Sequence, residues 1–428
     1  MKVEIKINKN IFKQKLIIFI EIVFINLIGS INSVDTSLLT INYFNKKQNL
    51  YYINAMNNNK GDLYFEFWGE EDKFRYFIGI NATTGEDIYF NNNKIYQIEA
   101  TSISSTYHES IIINNNNENN ILSIDYNNFD FINIKNGKFT TKNLKNIVNF
   151  EIKGDSSSFR NGLIKLKNNN YILSIVLYKK YGLHHAFIKI IFNFNTLDIS
   201  GYNKIKDSEN MYDFVNSTSC FQTENEYILC SYIALAGLKK LSIGIFDSNL
   251  NYKDSHSIGY INDNGFTKII HIKKEIGAYI YFQKDTNLPI IEIKKLTNNY
   301  DLSDLFDSIT LNANGKYTLN PGLFYSDAIK INNSKFVVIL TTNDFLNLII
   351  CLFDIYNDNS LRLRYYKLGL QQLNIKISVN IRTFILNNFF GIIFYNSNSK
   401  YPGYTIFNYP KFINENKKMI QQLKLIYL

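Results

Sequence analysis

The feature that most constrains the fold of this 428-residue chain is a pair of apolar strands that recurs along it. In each copy a short apolar run is followed by a polar turn and a longer apolar run, as in residues 162–176 and 268–282. The longer runs begin near residues 120, 171, 227, 278, 336 and 389, a spacing of roughly 51 to 58 residues. A repeat of this length predicts units that bury their apolar faces against their neighbours.

The residues inside the runs predict β-strands. Leu361 and Leu363 alternate with Arg362 and Arg364, which is the period-two pattern of a half-buried strand. A third and a weaker fourth strand follow each pair, and four antiparallel strands in about 50 residues is the unit of a β-propeller blade. We therefore predict an all-β fold, a single β-propeller of about seven four-stranded blades. The units are expected at residues 34–100, 101–150, 151–207, 208–262, 263–318, 319–372 and 373–428. Another all-β repeat or a sandwich is the alternative, because sequence rich in Ile, Tyr, Phe and Asn readily produces strand-like runs.

Residues 1–33 have the three-part pattern of a secretory signal peptide. Five lysines precede an apolar run at residues 16–28, and small residues follow it up to Ser33. This run is shorter than the about 20 apolar residues that a transmembrane helix needs. We predict cleavage after Ser33, a mature chain 34–428 without a membrane span, and a secreted or cell-surface protein. Glu21 and Asn26 interrupt the apolar run, so an uncleaved signal anchor that tethers the protein to a membrane is the alternative.

The three cysteines allow one intramolecular disulfide. If residues 224–226 form a three-residue hairpin loop, Cys220 lies directly opposite Cys230, within disulfide distance. An oxidising compartment favours that bond, and two reduced core thiols are the alternative. Cys351 lies in an apolar run and is predicted to stay reduced and buried.

Three Asn-x-Ser/Thr sequons, at Asn81, Asn216 and Asn332, are the candidate glycosylation sites. Each lies near a predicted strand end or turn, where a glycan is tolerated. Their number is no argument for secretion, because a chain this rich in Asn contains such sequons by composition alone.

No chemical motif assigns an activity. The sequence contains no His-Glu-x-x-His, Cys-x-x-Cys, Gly-x-Ser-x-Gly or glycine-rich phosphate loop. We therefore assign no catalytic residue, metal site or cofactor. The formal net charge is +9, but Lys outnumbers Arg by about eight to one, whereas nucleic-acid surfaces favour Arg. We expect no nucleic-acid partner.

Residues 220–230 and 324–337 resemble N-terminal ectodomains of large surface proteins of unicellular eukaryotes with AT-rich genomes. Some of those proteins continue into Cys-rich EGF-like repeats and a membrane anchor, which this sequence lacks. The resemblance implies a monomeric extracellular module that binds an unknown protein or glycan. A secreted glycan-active hydrolase with carboxylates in a central propeller cleft is the alternative, and the missing catalytic motifs favour the binding module.

Overall fold

The computed structural model describes residues 32–33, 39–43, 50–143, 162–204 and 219–407, with short gaps inside the longer ranges. These residues form β-strands joined by turns, and a short 3-10 helix covers Gln371–Leu373. The strands form seven sheets of four or five strands each. We number the sheets 1 to 7 in the order in which their first strands occur after residue 50.

Strands β1 (Asn32–Ser33) and β2 (Leu39–Tyr43) join sheets that later parts of the chain form. Sheet 1 contains β3 (Leu50–Asn57), β4 (Leu63–Gly69), β5 (Phe74–Ile80), β6 (Asp87–Ile88) and β7 (Tyr96–Glu99). Sheet 2 contains β8 (His108–Asn115), β9 (Glu118–Asp125), β10 (Asn128–Asn133) and β11 (Phe139–Asn143). Sheet 3 contains β12 (Gly162–Lys165), β13 (Asn170–Lys179), β14 (Gly182–Asn193) and β15 (Thr196–Lys204).

Sheet 4 contains β16 (Cys220–Gln222), β17 (Ile228–Ala236), β18 (Leu238–Phe246) and β19 (Tyr252–Tyr260). Sheet 5 contains β20 (Thr267–Lys273), β21 (Ile276–Phe282), β22 (Pro289–Leu296), β23 (Leu302–Asp304) and β24 (Ile309–Thr310). Sheet 6 contains β25 (Ser326–Asn332), β26 (Lys335–Thr341), β27 (Asn347–Ile355) and β28 (Leu361–Gly369). Sheet 7 contains β29 (Arg382–Leu386), β30 (Phe389–Asn396) and β31 (Tyr401–Phe407).

The arrangement of these sheets is a β-propeller. Within each sheet, strands that are consecutive in the chain pair antiparallel and in chain order, from the first strand outward. The first strand of a sheet lies beside the first strand of the next, as β3 lies beside β8 and β20 beside β25. The first strands therefore line the centre of a ring, and the later strands lie toward its outside. This architecture confirms the predicted all-β propeller fold.

Apolar side chains fill the spaces between successive sheets. Between sheets 5 and 6, for example, Ile280 and Phe282 pack in one cluster with Phe336 and Val338. The aromatic pair Phe336 and Phe353 stacks within that cluster, with ring centroids 4.4 Å apart. Both faces of a sheet are therefore buried, which explains why second strands such as β26 are continuous apolar runs.

One contact between sheets 1 and 2 is ionic. The Arg75 guanidinium donates to Glu66 Oε1 from Nε at 2.9 Å and to Asp130 Oδ2 from Nη1 at 2.8 Å. All three side chains are buried, and the guanidinium also donates to the Ser123 hydroxyl. An unpaired buried charge is costly, so the loss of either carboxylate would destabilise the fold. The ion pair with Asp130 therefore links sheet 1 to sheet 2.

The last sheet packs against the first, which closes the ring. The Phe65 ring of sheet 1 stacks on Tyr404 of sheet 7 at a centroid distance of 5.0 Å. The N-terminal strand β2 pairs antiparallel with β31 and becomes the outer strand of sheet 7. Strand β1 pairs parallel with β28 of sheet 6. The sequence also contains a strand-like tail at residues 423–428, which predicts a strand that completes the first blade, and this tail lies outside the described residues.

Candidate functional site

The predicted disulfide is present. Cys220 and Cys230 are direct partners in the β16–β17 ladder, with Cα atoms 4.1 Å apart, and their sulfurs are bonded. The hairpin loop between them is the expected three-residue loop, closed by a hydrogen bond from Thr223 N to Tyr227 O at 2.8 Å. Cys351 is a free thiol at the buried centre of β27, and burial raises its pKa. A thiol of this kind is unreactive.

Two of the three glycosylation candidates lie in turns that the structure describes. Asn81 follows β5, and its side chain accepts a hydrogen bond from Thr84 N at 3.0 Å. Asn332 ends β25 in the exposed turn before β26, and its side chain accepts from Ser334 N at 2.9 Å. Asn216 lies outside the described residues. Glycosylation of the three sites stays a prediction.

The first hairpin turns of neighbouring sheets bring charged side chains together at one end of the ring. Five residues form this group, which we call the turn cluster: Lys167, Glu224, His271, Lys274 and Lys330. Lys167 follows β12, Glu224 lies between β16 and β17, His271 and Lys274 lie at the end of β20, and Lys330 lies in β25. The cluster thus combines residues from sheets 3, 4, 5 and 6.

Hydrogen bonds between backbone and side-chain groups hold the turns of sheets 3, 4 and 5 in place. Lys167 Nζ donates to Thr223 O at 2.8 Å, which joins sheet 3 to sheet 4. Lys274 N donates to Glu224 Oε1 at 2.9 Å, and Glu224 N donates to Lys274 O at 3.2 Å, which joins sheet 4 to sheet 5. Two bonds between the same two turns fix their relative position. The residues of the turn cluster in sheets 3, 4 and 5 are therefore held in a fixed arrangement at this end of the ring.

His271 is the half-buried centre of this cluster. Its ring stacks on Phe221 with centroids 5.4 Å apart, and Nε2–H donates to Lys274 O at 2.8 Å. Burial lowers the pKa of His271, and the charges of Lys330 and Lys167 lower it further, against the opposing effects of the Lys274 hydrogen bond and the Glu224 charge. The folded protein therefore disfavours the protonated form of His271 relative to a free histidine.

Lys330 is the half-buried cation of the cluster. Its side chain is half-buried, and burial lowers its pKa, with the charge of Glu224 opposing and that of Lys167 adding to the effect. The ammonium forms no hydrogen bond or ion pair with any residue that the structure describes. This combination attracts anions.

A second polar group lies at the opposite ends of the first strands. The buried Asp327 of β25 accepts from Thr383 N at 2.7 Å and from Thr383 Oγ1 at 2.8 Å, and it forms an ion pair with Lys268. Its pKa is lowered, because the charges of Lys268 and Arg382 and these hydrogen bonds outweigh the effect of burial. Asp327 thereby links sheets 5, 6 and 7 through its carboxylate.

Sequence reasoning found the disulfide but not the turn cluster. Lys167, His271 and Lys330 belong to three separate repeats, and a single sequence gives no measure of their proximity. The available signal was the polar residue near the end of each first strand. Within the described parts of the chain, no group of three or more His, Cys, Asp or Glu side chains is arranged to hold a metal ion.

Comparison with known proteins adds fold likeness only. No family model and no curated protein matches the sequence. Among solved structures, the S. cerevisiae core factor matches with a TM-score of 0.51 and 11% identity, over 94% of this chain and 69% of that one. The polysaccharide lyase Uly1 matches with a TM-score of 0.50 and 9% identity, over 82% of this chain and 88% of that one. The β-propeller domain of Vanderwaltozyma polyspora Nup133 matches with a TM-score of 0.46 and 10% identity, over 87% and 98%. Identities this low carry no information about activity.

Proposed function

We propose that this chain is a non-catalytic extracellular or cell-surface binding module that contacts a protein or glycan through the turn cluster. The observation that carries the proposal is Lys330, a half-buried ammonium with no ion pair among the described residues. An ammonium that is half-buried and has no direct partner among the described residues attracts an anionic ligand more strongly than a fully hydrated one does. Propellers commonly bind at such a face, where turns from several blades meet.

The carboxylates near the ring centre favour binding over hydrolysis. A glycoside hydrolase needs two carboxyl groups about 5 to 9.5 Å apart, one of which keeps a proton at working pH. Asp327 has a lowered pKa and gives its oxygens to Lys268 and Thr383, and Glu224 accepts from a backbone amide. A group whose pKa is lowered is a poor general acid. These two carboxylates therefore support a structural role.

The proposed location rests on the leader and the disulfide. Structural disulfides such as Cys220–Cys230 are typical of oxidising compartments. Within the described residues, no helix is both long enough and apolar enough to cross a membrane. N-terminal sequencing of material secreted by a eukaryotic host is expected to begin at Val34. An intact Met1 on a membrane-bound product would instead support the signal anchor.

The proposed function is tested by screening the purified mature protein on arrays of glycans and extracellular proteins, beside a chromogenic glycosidase panel. We expect saturable binding to at least one ligand and no turnover. The matched variant Lys330→Gln should bind that ligand more weakly, because it removes the half-buried charge. Turnover of any glycosidase substrate above the level of a mock purification would favour the hydrolase.

A further inference from the structure

We propose that the turn cluster binds the carboxylate or sulfate groups of an acidic polysaccharide. This inference rests on the proposed function and specifies its ligand. It comes from the cluster's three lysines, its half-buried histidine and their positions on separate sheets.

The cluster is built to favour an incoming anion. Lys330 is already partly desolvated, so an oxyanion that reaches it replaces little water and meets a charge that is weakly screened. Glu224 is the cluster's own carboxylate, but one of its oxygens is held by Lys274 N at 2.9 Å. The charge of Glu224 still acts on Lys330, but the Lys330 ammonium forms no hydrogen bond or ion pair with a described residue and can accept an external anion as its direct partner.

The spread of the lysines selects a ligand with several negative groups. Lys167 extends from sheet 3, Lys274 from sheet 5 and Lys330 from sheet 6. A single small anion contacts one of these ammonium groups, whereas a chain with repeated charges contacts several at once and gains from their number. Lysine ammonium groups bind such anions as point charges and lack the planar fork of Arg that nucleic-acid surfaces favour.

His271 adds a pH dependence to this site. The groups that face it are Lys330 from β25, Lys167 from the turn after β12, Glu224 from the loop of sheet 4, and Lys274 O from its own turn. A bound anion stabilises the protonated ring, so binding takes up a proton as pH falls through the pKa of His271. We expect the affinity for a polyanion to be higher at pH 5 than at pH 7.5, and the variant His271→Asn to lose that difference.

The test uses isothermal titration of the full mature protein with dextran sulfate, with neutral dextran of the same length as the control polymer. Polygalacturonate supplies carboxylates in place of sulfates, inorganic sulfate supplies the free ion, and poly-glutamate supplies an acidic peptide. The variants are Lys330→Gln, Lys330→Arg, and the double variant Lys167→Gln/Lys330→Gln. Lys284→Gln is the matched control, because Lys284 is also half-buried but lies in the turn between β21 and β22, at the other end of sheet 5.

We expect dextran sulfate and polygalacturonate to bind, and neutral dextran and inorganic sulfate not to bind measurably. Lys330→Gln should weaken binding about five-fold and the double variant about 25-fold, as expected for the loss of one and two close charge contacts. Lys330→Arg should restore the affinity, and Lys284→Gln should leave it unchanged. A thermal melt of each variant checks that the fold is retained.

Three outcomes overturn the inference. The first is equal loss of polyanion affinity in Lys284→Gln and Lys330→Gln, which would indicate only nonspecific attraction by net charge. The second is tighter binding of poly-glutamate than of either polysaccharide, which would indicate an acidic protein partner. The third is binding of neutral array glycans that is indifferent to Lys330, which would refute the acidic ligand yet leave the binding module intact. Failure of the array screen with every ligand would refute the proposed function itself.

Discussion

Asp327 offers the sharpest test of how the ring is held together. Its carboxylate is 3% exposed and accepts two hydrogen bonds from Thr383, at 2.7 and 2.8 Å, in addition to the ion pair with Lys268. Replacement by Ala leaves the buried Thr383 N–H without an acceptor and Lys268 without its counter-charge. Breaking a buried charged pair costs about 3–5 kcal/mol.

The contributions of the two partners differ. The Lys268 side chain is 31% exposed, so water screens the ion pair and that contribution falls near the value of a surface pair. Most of the loss then comes from Thr383, whose bonds to a charged acceptor contribute about 1.5–3 kcal/mol each. We therefore expect Asp327→Ala to lose about 3–5 kcal/mol of the free energy of unfolding. Asp327→Asn keeps one acceptor oxygen and should lose about 2 kcal/mol.

The assay is equilibrium unfolding in urea at pH 7, followed by far-UV circular dichroism and by tryptophan fluorescence. Trp68 is the single tryptophan of the chain and is buried in sheet 1, whereas Asp327 lies in sheet 6. If the ring unfolds as one unit, both signals shift to lower urea by the same amount. A loss below about 1 kcal/mol in Asp327→Ala, or a Trp68 transition that does not move, would refute the proposed link. Thr383→Val, which removes only the hydroxyl bond, is the matched control and should lose about 1.5–3 kcal/mol, less than Asp327→Ala.

Four further predictions follow from the same contacts. Asp327 has a lowered pKa in the folded state, so its ionised form adds to the free energy of unfolding above about pH 4. This stabilisation is lost as pH falls through the lowered pKa. On acidification, the melting temperature of Asp327→Asn should therefore decrease less than that of the parent protein. Non-reducing peptide mapping should recover Cys220 linked to Cys230, and replacing both with Ser should cost about 2–3 kcal/mol in urea unfolding. Deletion of β2 should leave β31 as a free sheet edge, detected as aggregation by light scattering, and an unchanged monodisperse protein would contradict ring closure by that strand. Gly391→Ala would place a Cβ against the Phe384 ring and the Thr405 carbonyl oxygen, and it should lower the free energy of unfolding by about 1–3 kcal/mol. An unchanged melting curve would contradict this close packing.

The parts of the fold that depend on local pattern were predictable from the sequence. Strand pairs such as β25 and β26 are adjacent in the chain, so alternation and a polar turn are enough to indicate them. The Cys220–Cys230 bond follows in the same way from one hairpin. The spacing of the repeats then predicts a propeller, because each apolar sheet needs a neighbour on either side.

The parts that depend on distant residues were not predictable. Strand β2 pairs with β31, almost a full chain length away, and its five residues carry no repeat signal of their own. The strand-like residues 423–428 instead suggest closure by the C-terminal tail, and a role for that tail stays a prediction. The turn cluster was not predictable from the sequence for a related reason. A chain rich in Lys and Asn offers many charged turn residues, and the few that converge are distinguished only by the packing of separate sheets.

The central claim is that the ring end binds an acidic ligand without cleaving it. The most direct measurement is size-exclusion chromatography with multi-angle light scattering of polygalacturonate after overnight incubation with the mature protein. We expect co-elution of protein and polysaccharide, an unchanged molar mass of the polysaccharide, and loss of co-elution with the Lys167→Gln/Lys330→Gln variant. A polysaccharide shortened by the parent protein, or co-elution that survives in the double variant, would contradict it.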